Sequence, residues 1–434
     1  MTATEEVEVG AAARPGELRG SRVLAAWHQT GRADLDAHLS VHGALHLPRR
    51  PDRQFSDDLI EAVERSGLTG RGGGGFPTGR KLAIARSRGR GGVLVVNMME
   101  GEPASQKDGA LLSGAPHLVL EGAQLAAMAT GAREIVICTS VESERLARHA
   151  EAAISDRHSA GADRIPTRVS VGPGGYVAGE ESALVKWIGG GRAVPAFRSE
   201  KGSPLTIGRR AALVQNGETL AHVALVARYG PAWFRSAGLH GASGTALVTV
   251  SGSVEHPGVY EVELGETVSE ILARARVRLP IGAFLVGGYG GAWLPAGDVD
   301  VPFAPSTLAK LGGGTGPGII VALGSLACGV AETARIAAYL AGESAGQCGP
   351  CRFGLSAIAD DLARLAGGSA DEGALQRLRR RLDVVKGRGA CSHPDGAVRL
   401  VRSALDVFAA DLSAHARRQP CAASQRGTGL RFHR

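Results

Sequence analysis

Between Gly70 and Lys81 the chain reads Gly-Arg-Gly-Gly-Gly-Gly-Phe-Pro-Thr-Gly-Arg-Lys, and five of the first six residues are glycine. Neither a helix nor a strand tolerates such a run, because each glycine costs backbone entropy and offers no side chain to pack. The run is a loop. Asp57 to Ser66 ahead of it places Leu59, Ile60 and Val63 on one helical face, and a second helical pattern starts at Thr78. Glycines let backbone N–H groups close on a flat or anionic ligand, and the following helix aims its positive end at the same place. Lys81 in the first turn adds a point charge. A phosphate-bearing cofactor is the expected guest; a plain flexible loop is the alternative.

Two familiar phosphate loops do not fit. Gly70, Gly72 and Gly75 satisfy G-x-G-x-x-G, but the dinucleotide fingerprint needs a strand directly before it, and here a helix precedes. A P-loop needs Lys then Ser/Thr after its last glycine, where this chain has Arg80 and Lys81. Downstream, strand and helix signals alternate: the buried run Val93 to Val96, a helix His117–Thr130, a strand Glu134–Thr139, a helix Glu142–Ser155 and a strand Arg168–Val171. Polar clusters follow the strands. Asn97, Glu100 and Glu102 come after the first, with Lys107 and Asp108 read as plain turn residues. A second glycine loop, Gly172 to Gly179, ends in Glu180 and Glu181 before a helix Ser182–Ile188. Gln215, Asn216, Glu218 and Thr219 form the third cluster. Open α/β sheets bind ligands past the carboxyl ends of their strands.

From Thr245 to about Ile320 the pattern changes to strand, strand, helix and strand, which suggests a small β-grasp module. The segment from about Leu326 to Leu412 is helical and contains Cys348-Gly-Pro-Cys351, with Cys391 forty residues farther on. Thiolates at that spacing suit soft iron. Cys138 sits in a strand and reads as a core thiol.

Composition excludes several classes. Six cysteines in 434 residues are too sparse for a disulfide framework, and no aromatic-interleaved basic patch suggests nucleic acid. The net charge of +7 is concentrated in a tail, since His415 to Arg434 holds five arginines and no acid. Met1 to Gly20 carries four glutamates and no apolar run, so no secretory signal is expected. The most apolar segment, Gly318 to Gly342, is broken by Glu332 and Arg335 and reads as strand then helix. A cytoplasmic location without direct membrane insertion is expected.

The stretches Gly70–Lys81, Asn97–Asp108, Gly172–Ala183 and Val214–Leu220 together resemble the NADH-binding, FMN-carrying flavoprotein subunit of respiratory complex I, and the likeness runs in order from about residue 56 to 410. The resemblance implies a lead-in (1–55), a Rossmann-like α/β domain for FMN and NADH (56–240), a β-grasp domain similar to the soluble-ligand-binding unit of that family and acting as a spacer (245–320), a helical iron–sulfur domain (326–412) and a basic tail (413–434). It implies that Gly72, Gly73, Gly75 and Gly179 admit the flavin, that Lys81 pairs with its phosphate, and that Asn97, Glu100, Glu180, Asn216 and Thr219 line it. Phe76 would pack on the dinucleotide. Glu102 and Glu181 would line the nicotinamide side and repel a phosphorylated cofactor. Electrons would pass from NADH through FMN to an iron–sulfur centre, with other redox subunits or a ferredoxin as partners and the inner membrane reached only through them.

Several positions depart from the family pattern. Ala345 stands where the first of four cysteines belongs, leaving Cys348, Cys351 and Cys391; Cys328 and Cys421 lack the spacing to replace it. Met99 replaces an aspartate, Gln215 an asparagine, and the second aromatic of the dinucleotide clamp is expected near Lys201. A degenerate paralogue, serving in assembly or as a ferredoxin-linked flavin module, is the competing reading. Three thiolates hold a 3Fe-4S cluster, or a 4Fe-4S cluster with one corner bound by another ligand. After anaerobic reconstitution the oxidised chain should therefore give a three-iron electron-spin signal, and Ala345→Cys should convert it to a four-iron signal seen on reduction. Iron uptake by the variant alone would show that the native chain has lost its cluster.

Overall fold

The computed structural model describes residues 21–197, 204–278 and 280–425. Val93–Met98 (β1), Glu134–Ser140 (β2), Thr167–Gly172 (β3), Leu205–Ile207 (β4) and Arg210–Asn216 (β5) form one sheet, in the order β3-β2-β1-β5-β4. β1, β2, β3 and β5 are parallel, and β4 closes the edge antiparallel to β5. The strand β1 is apolar on both faces because both faces are covered. Leu94, Val96 and Met98 pack under the helices Pro116–Thr130 and Gly217–Arg235, while Val93 and Val95 meet Leu184 and Val185 of the helix Glu181–Ile188.

The chain leaves β1 toward β2 on one side and returns to β5 on the other. Asn97 and Asn216 are register partners at the carboxyl end of that central pair. The crevice beyond them is the point where the strand order reverses, the usual ligand position in such sheets.

Two helices must come very close to hold this sheet. Every residue of Pro116–Thr130 is buried, including Glu121, which is ion-paired to Arg228, and Gln124, whose amide donates to the Ile165 carbonyl at 2.8 Å. A β-carbon on Gly122 would lie 1.8 Å from the Leu220 carbonyl oxygen, so only glycine permits this crossing. The helix Gly217–Arg235 itself breaks at Gly230, with φ of 83° just before Pro231.

Thr245–Gly252 (β6), Gly258–Glu263 (β7), Ile281–Val286 (β8), Ala292–Pro295 (β9) and Ile319–Gly324 (β10) form the second sheet, ordered β7-β6-β10-β8-β9. β6 and β10 are parallel and the other pairs antiparallel, with the helix Val268–Arg274 started by a Thr267/Glu270 capping box. Phe284 and Val286 face that helix, whereas Ala283 and Leu285 join the core of the carboxyl-terminal helices. Those helices are Gly329–Gly342, Ser356–Ala366, Ala374–Val385, His393–Val407 and Ala409–Ala416. Packing continues past Leu412, since His415 is fully buried. The lead-in is also docked: Val23 and Leu24 are fully buried, and the Arg22 guanidinium lies 4.0 Å from the Trp233 ring centre. Among the described residues no helix is long and apolar enough to cross a membrane.

Gly122→Ala should lower stability by roughly 3 kcal/mol, since the new methyl meets backbone that must move. Gly342→Ala, whose β-carbon would have nothing within 4 Å, should be neutral. Equal urea midpoints for the two variants would contradict the close crossing.

Candidate functional site

The first glycine loop is a closed excursion. Gly70 N–H donates to the Phe76 carbonyl and Thr78 N–H to the Leu68 carbonyl, both at 2.9 Å, and the helix Thr78–Ser87 starts where the sequence places it. Gly73 and Gly75 have φ of 100° and 60°, which a side chain would strain. The loop is pinned from behind: Thr219 Oγ1 accepts the Arg71 N–H at 2.9 Å, and the buried Arg71 guanidinium donates to the Thr245 carbonyl at 3.1 Å. A β-carbon at Gly72 would come within 3.2 Å of Asn216, while at Gly74 or Gly75 it would meet nothing within 4 Å. These glycines border a cavity of about 1180 Å³.

Beneath the cavity lies a buried polar network. Asn97 donates to the Gly179 carbonyl at 2.8 Å and so holds the second glycine loop against β1. Asn216 caps the helix Gly217–Arg235 through Glu218 N–H and accepts from Lys107 Nζ at 3.0 Å. Lys107 and Asp108, read from sequence as plain turn residues, instead begin the helix Lys107–Gly114 and are buried. Lys107 Nζ lies 2.7 Å from Asp108 and 3.3 Å from Glu218, with its side chain 2 % exposed. Burial opposes its charge, but the two carboxylates outweigh burial and raise its pKa. Removing one partner of such a group costs on the order of 3–5 kcal/mol.

Glu100 sits at φ of 43°, a strained conformation for a side-chain residue. Its carboxylate accepts Asp108 N–H at 2.8 Å and Gly109 N–H at 2.9 Å, so it caps the helix Lys107–Gly114 at the cavity edge. Burial, then Asp108, pushes its pKa up to about 7. Glu102 accepts from Tyr289 N–H at 3.0 Å and from the Tyr176 hydroxyl at 3.2 Å. Burial raises it to about 7 although these donors favour the charged form. The second cavity carboxylate therefore titrates near neutrality.

The far wall was not expected. Gly287, Gly290 and the Gly313–Gly318 loop come from the second sheet, so the β-grasp unit builds the cavity rather than spacing it from the thiols. The glycine run at 312–318 was the available sequence signal. Phe197 also lines the cavity and is 78 % exposed, supplying an aromatic that the sequence pattern places near Lys201. Lys201 lies outside the described residues. Gln347 donates to the Pro195 carbonyl at 2.7 Å, tying the segment before Phe197 to the cysteine loop.

The thiols meet the cavity at one end. Cys391 lines it, and Glu180, which caps the helix Glu181–Ile188, is close enough to raise the Cys391 pKa after burial has done so. Cys351 lies in a π-helical turn, Pro350–Leu355, and burial with Cys348 beside it pushes it up to about 12. Cys348 is affected first by burial, but hydrogen bonds from the Ala390 and Cys351 amides outweigh it and lower its pKa. Of the three thiols, Cys348 is the one whose surroundings favour the thiolate that a metal requires.

Besides Cys348 and Cys351, four expected residues stand apart from the cavity lining. Phe76 is exposed beside Arg80. Lys81 is held in an ion pair by Glu181, and Thr219 acts behind the loop. Glu181 therefore neutralises the lysine rather than facing the cavity.

The open cradle at Gly74 and Gly75 fits a planar cofactor, and three thiols as donors suit iron–sulfur chemistry. Together with a sheet reversing at β1 and β5, they define a flavin-binding electron-transfer module. Residues 63–225 match the Nuo51 FMN-binding domain, residues 247–276 the SLBB domain, and residues 331–415 the NADH-ubiquinone oxidoreductase-F iron-sulfur binding region. The second NADH-quinone oxidoreductase F-subunit of Rhizobium meliloti is 31% identical over 379 residues, covering 84% of this chain and 90% of the relative. The F-subunit of the Streptomyces coelicolor NADH-quinone oxidoreductase is 29% identical over 440 residues, covering 97% and 96%. The air-oxidised NAD+-reducing [NiFe]-hydrogenase structure superposes with a TM-score of 0.80 at 31% identity, covering 91% of this chain and 67% of that one. The chain belongs to the family of NADH-quinone oxidoreductase F-subunits.

A carboxyl group whose pKa rises on folding loses stability as pH climbs from its unfolded value through its folded one. For Glu102 that window runs from 4.5 to about 7. Glu102→Gln should remove this loss, gaining roughly 3 kcal/mol over wild type above the window and little below it. Denaturant titrations at either end of the window measure the difference; parallel pH profiles would contradict the raised pKa.

Proposed function

We propose that this chain takes electrons from NADH through FMN and passes them to an iron–sulfur centre held by Cys348, Cys351 and Cys391, or onward to a ferredoxin-like partner. One observation carries the reading: the flavin-type glycine loops and Cys391 open onto a single cavity. When bound, FMN converts two-electron donation into one-electron release. The chain's own residues bind, orient and exclude. Gly72, Gly73, Gly75 and Gly179 give the backbone close approach, and Asn97 and Asn216 keep the two strand ends and both glycine loops in fixed relation. Lys81, paired with Glu181 outside the cavity lining, would meet a phosphate only on leaving that pair. Glu100 and Glu180 hold the helix starts that border the cavity. Phe197 supplies an aromatic face for the dinucleotide, and Glu102 sets the charge beside it.

This assignment keeps 56–240 as the flavin and dinucleotide unit, 245–320 as the β-grasp unit and 326–412 as the thiol unit, the last extended to Cys421. Other redox subunits are the expected partners, and attachment to a membrane would come through them from the cytoplasmic side.

Anaerobic titration with NADH should bleach the flavin absorbance of the purified protein. Phe197→Ala should weaken NADH by about 1 kcal/mol, roughly fivefold in Kd, while flavin content stays unchanged. A flavin that stays oxidised in excess NADH would overturn the reading and favour the assembly role to which Ala345 points.

A further inference from the structure

A second group of soft ligands lies in the helical unit. Cys328 Sγ, the His415 ring and Cys421 Sγ offer ligand atoms that all lie within 4.8 Å of one another. The two cysteines have no neighbouring cysteine in sequence, and the third ligand comes from the helix Ala409–Ala416. We propose that Cys328, His415 and Cys421 hold a zinc ion, with water in the fourth position, that clamps the carboxyl-terminal segment to the helical core.

The histidine is set for ligation. His415 is fully buried, and its Nδ1–H donates to the Leu365 carbonyl at 3.0 Å. That bond leaves Nε2 with its lone pair free of a proton, 3.8 Å from Cys328 Sγ. The Cys421 N–H points at the same nitrogen from 3.2 Å, as it can only toward an acceptor. A backbone carbonyl behind a histidine is the arrangement that fixes tautomer and ring plane in metal sites. On binding, the amide shifts from Nε2 to an adjacent thiolate.

Cys328 begins the helix Gly329–Gly342, and its sulfur accepts the Ala331 N–H at 3.4 Å. A helix start with a donated N–H stabilises the thiolate that a metal requires. Burial first, then Cys421 beside it, pushes the Cys328 thiol up to about 12, so zinc binding at this sulfur displaces a proton. Two thiolates and one neutral imidazole balance the charge of Zn²⁺, which suits a site with two buried ligands. Sulfur ligands disfavour magnesium and calcium.

This site is separate from the thiols at the cavity. Cys328 precedes the helix Gly329–Gly342 and Cys348 follows it, and the helix is 14 residues long. That length places the two ends about 21 Å apart. Cys328 therefore does not supply the ligand lacking at Ala345.

The test counts zinc and iron in protein made with both metals and purified anaerobically. Wild type and the Cys348→Ser/Cys351→Ser variant should each hold about one zinc per chain. Cys421→Ser should lose it roughly tenfold or more while keeping its FMN. Cobalt taken up instead should give a thiolate-to-metal charge-transfer band in wild type that Cys421→Ser lacks. Should Cys421→Ser also lose FMN, the cobalt spectrum of the Cys348→Ser/Cys351→Ser variant decides, because only the proposed site remains there. Zinc that disappears with Cys348 and Cys351, no zinc in wild type, or a Cys328–Cys421 disulfide in the anaerobic protein would each overturn the proposal.

Discussion

The buried ammonium of Lys107 is the interaction on which the architecture of the cavity depends. An unpaired charge at 2 % exposure would cost many kcal/mol, so Asp108 and Glu218 must stay within reach. Glu218 begins the helix that follows β5, and the same carboxylate accepts Leu247 N–H of β6 at 2.8 Å. Lys107 begins the helix that follows β1's loop. One cation thereby joins both sides of the sheet reversal to the second sheet. Arg71 adds the glycine loop to the same assembly through Thr219 and Thr245.

A cavity built this way has walls from three units. The first sheet supplies the crevice, the β-grasp loops the opposite wall, and the thiol-bearing helices close one end with Cys391. Two further contacts hold that end: Glu343 accepts Tyr176 N–H at 2.8 Å, and Gln347 reaches the Pro195 carbonyl. Both residues come from the segment that leads into Cys348, so hydrogen bonds tie that segment to the second glycine loop and to the chain before Phe197. Electron passage between a flavin and a cluster needs short, fixed separation, and these contacts provide fixity without any covalent link.

Much of this was readable from the chain. The run Val93 to Val96 marks a strand covered on both faces, and the glycines at 70–75 mark a loop that no other residue type would serve. The Cys348–Cys351 spacing identifies metal chemistry for the same reason: the signal is local, and ligand geometry sets it. Helix boundaries at Thr78, Ser66 and Thr130 follow from caps and periodicity within a few residues.

Other features come from contacts between distant segments, and no periodic pattern records them. Lys107 and Asp108 look like turn residues until Glu218 and Asn216, more than a hundred positions away, close over them. Phe197 carries no signal in the sequence until the cavity forms beside it, and the β-grasp unit reads as a spacer until its glycine loops line that cavity. Cys328, His415 and Cys421 are spare residues in the sequence and neighbours only after the helices pack. The sequence by itself determined the elements and the chemistry available at their ends, because propensity, capping and ligand spacing act over a few residues. Tertiary structure alone decided which charges are buried, which unit forms each wall and which thiols meet, because those outcomes depend on packing across hundreds of residues.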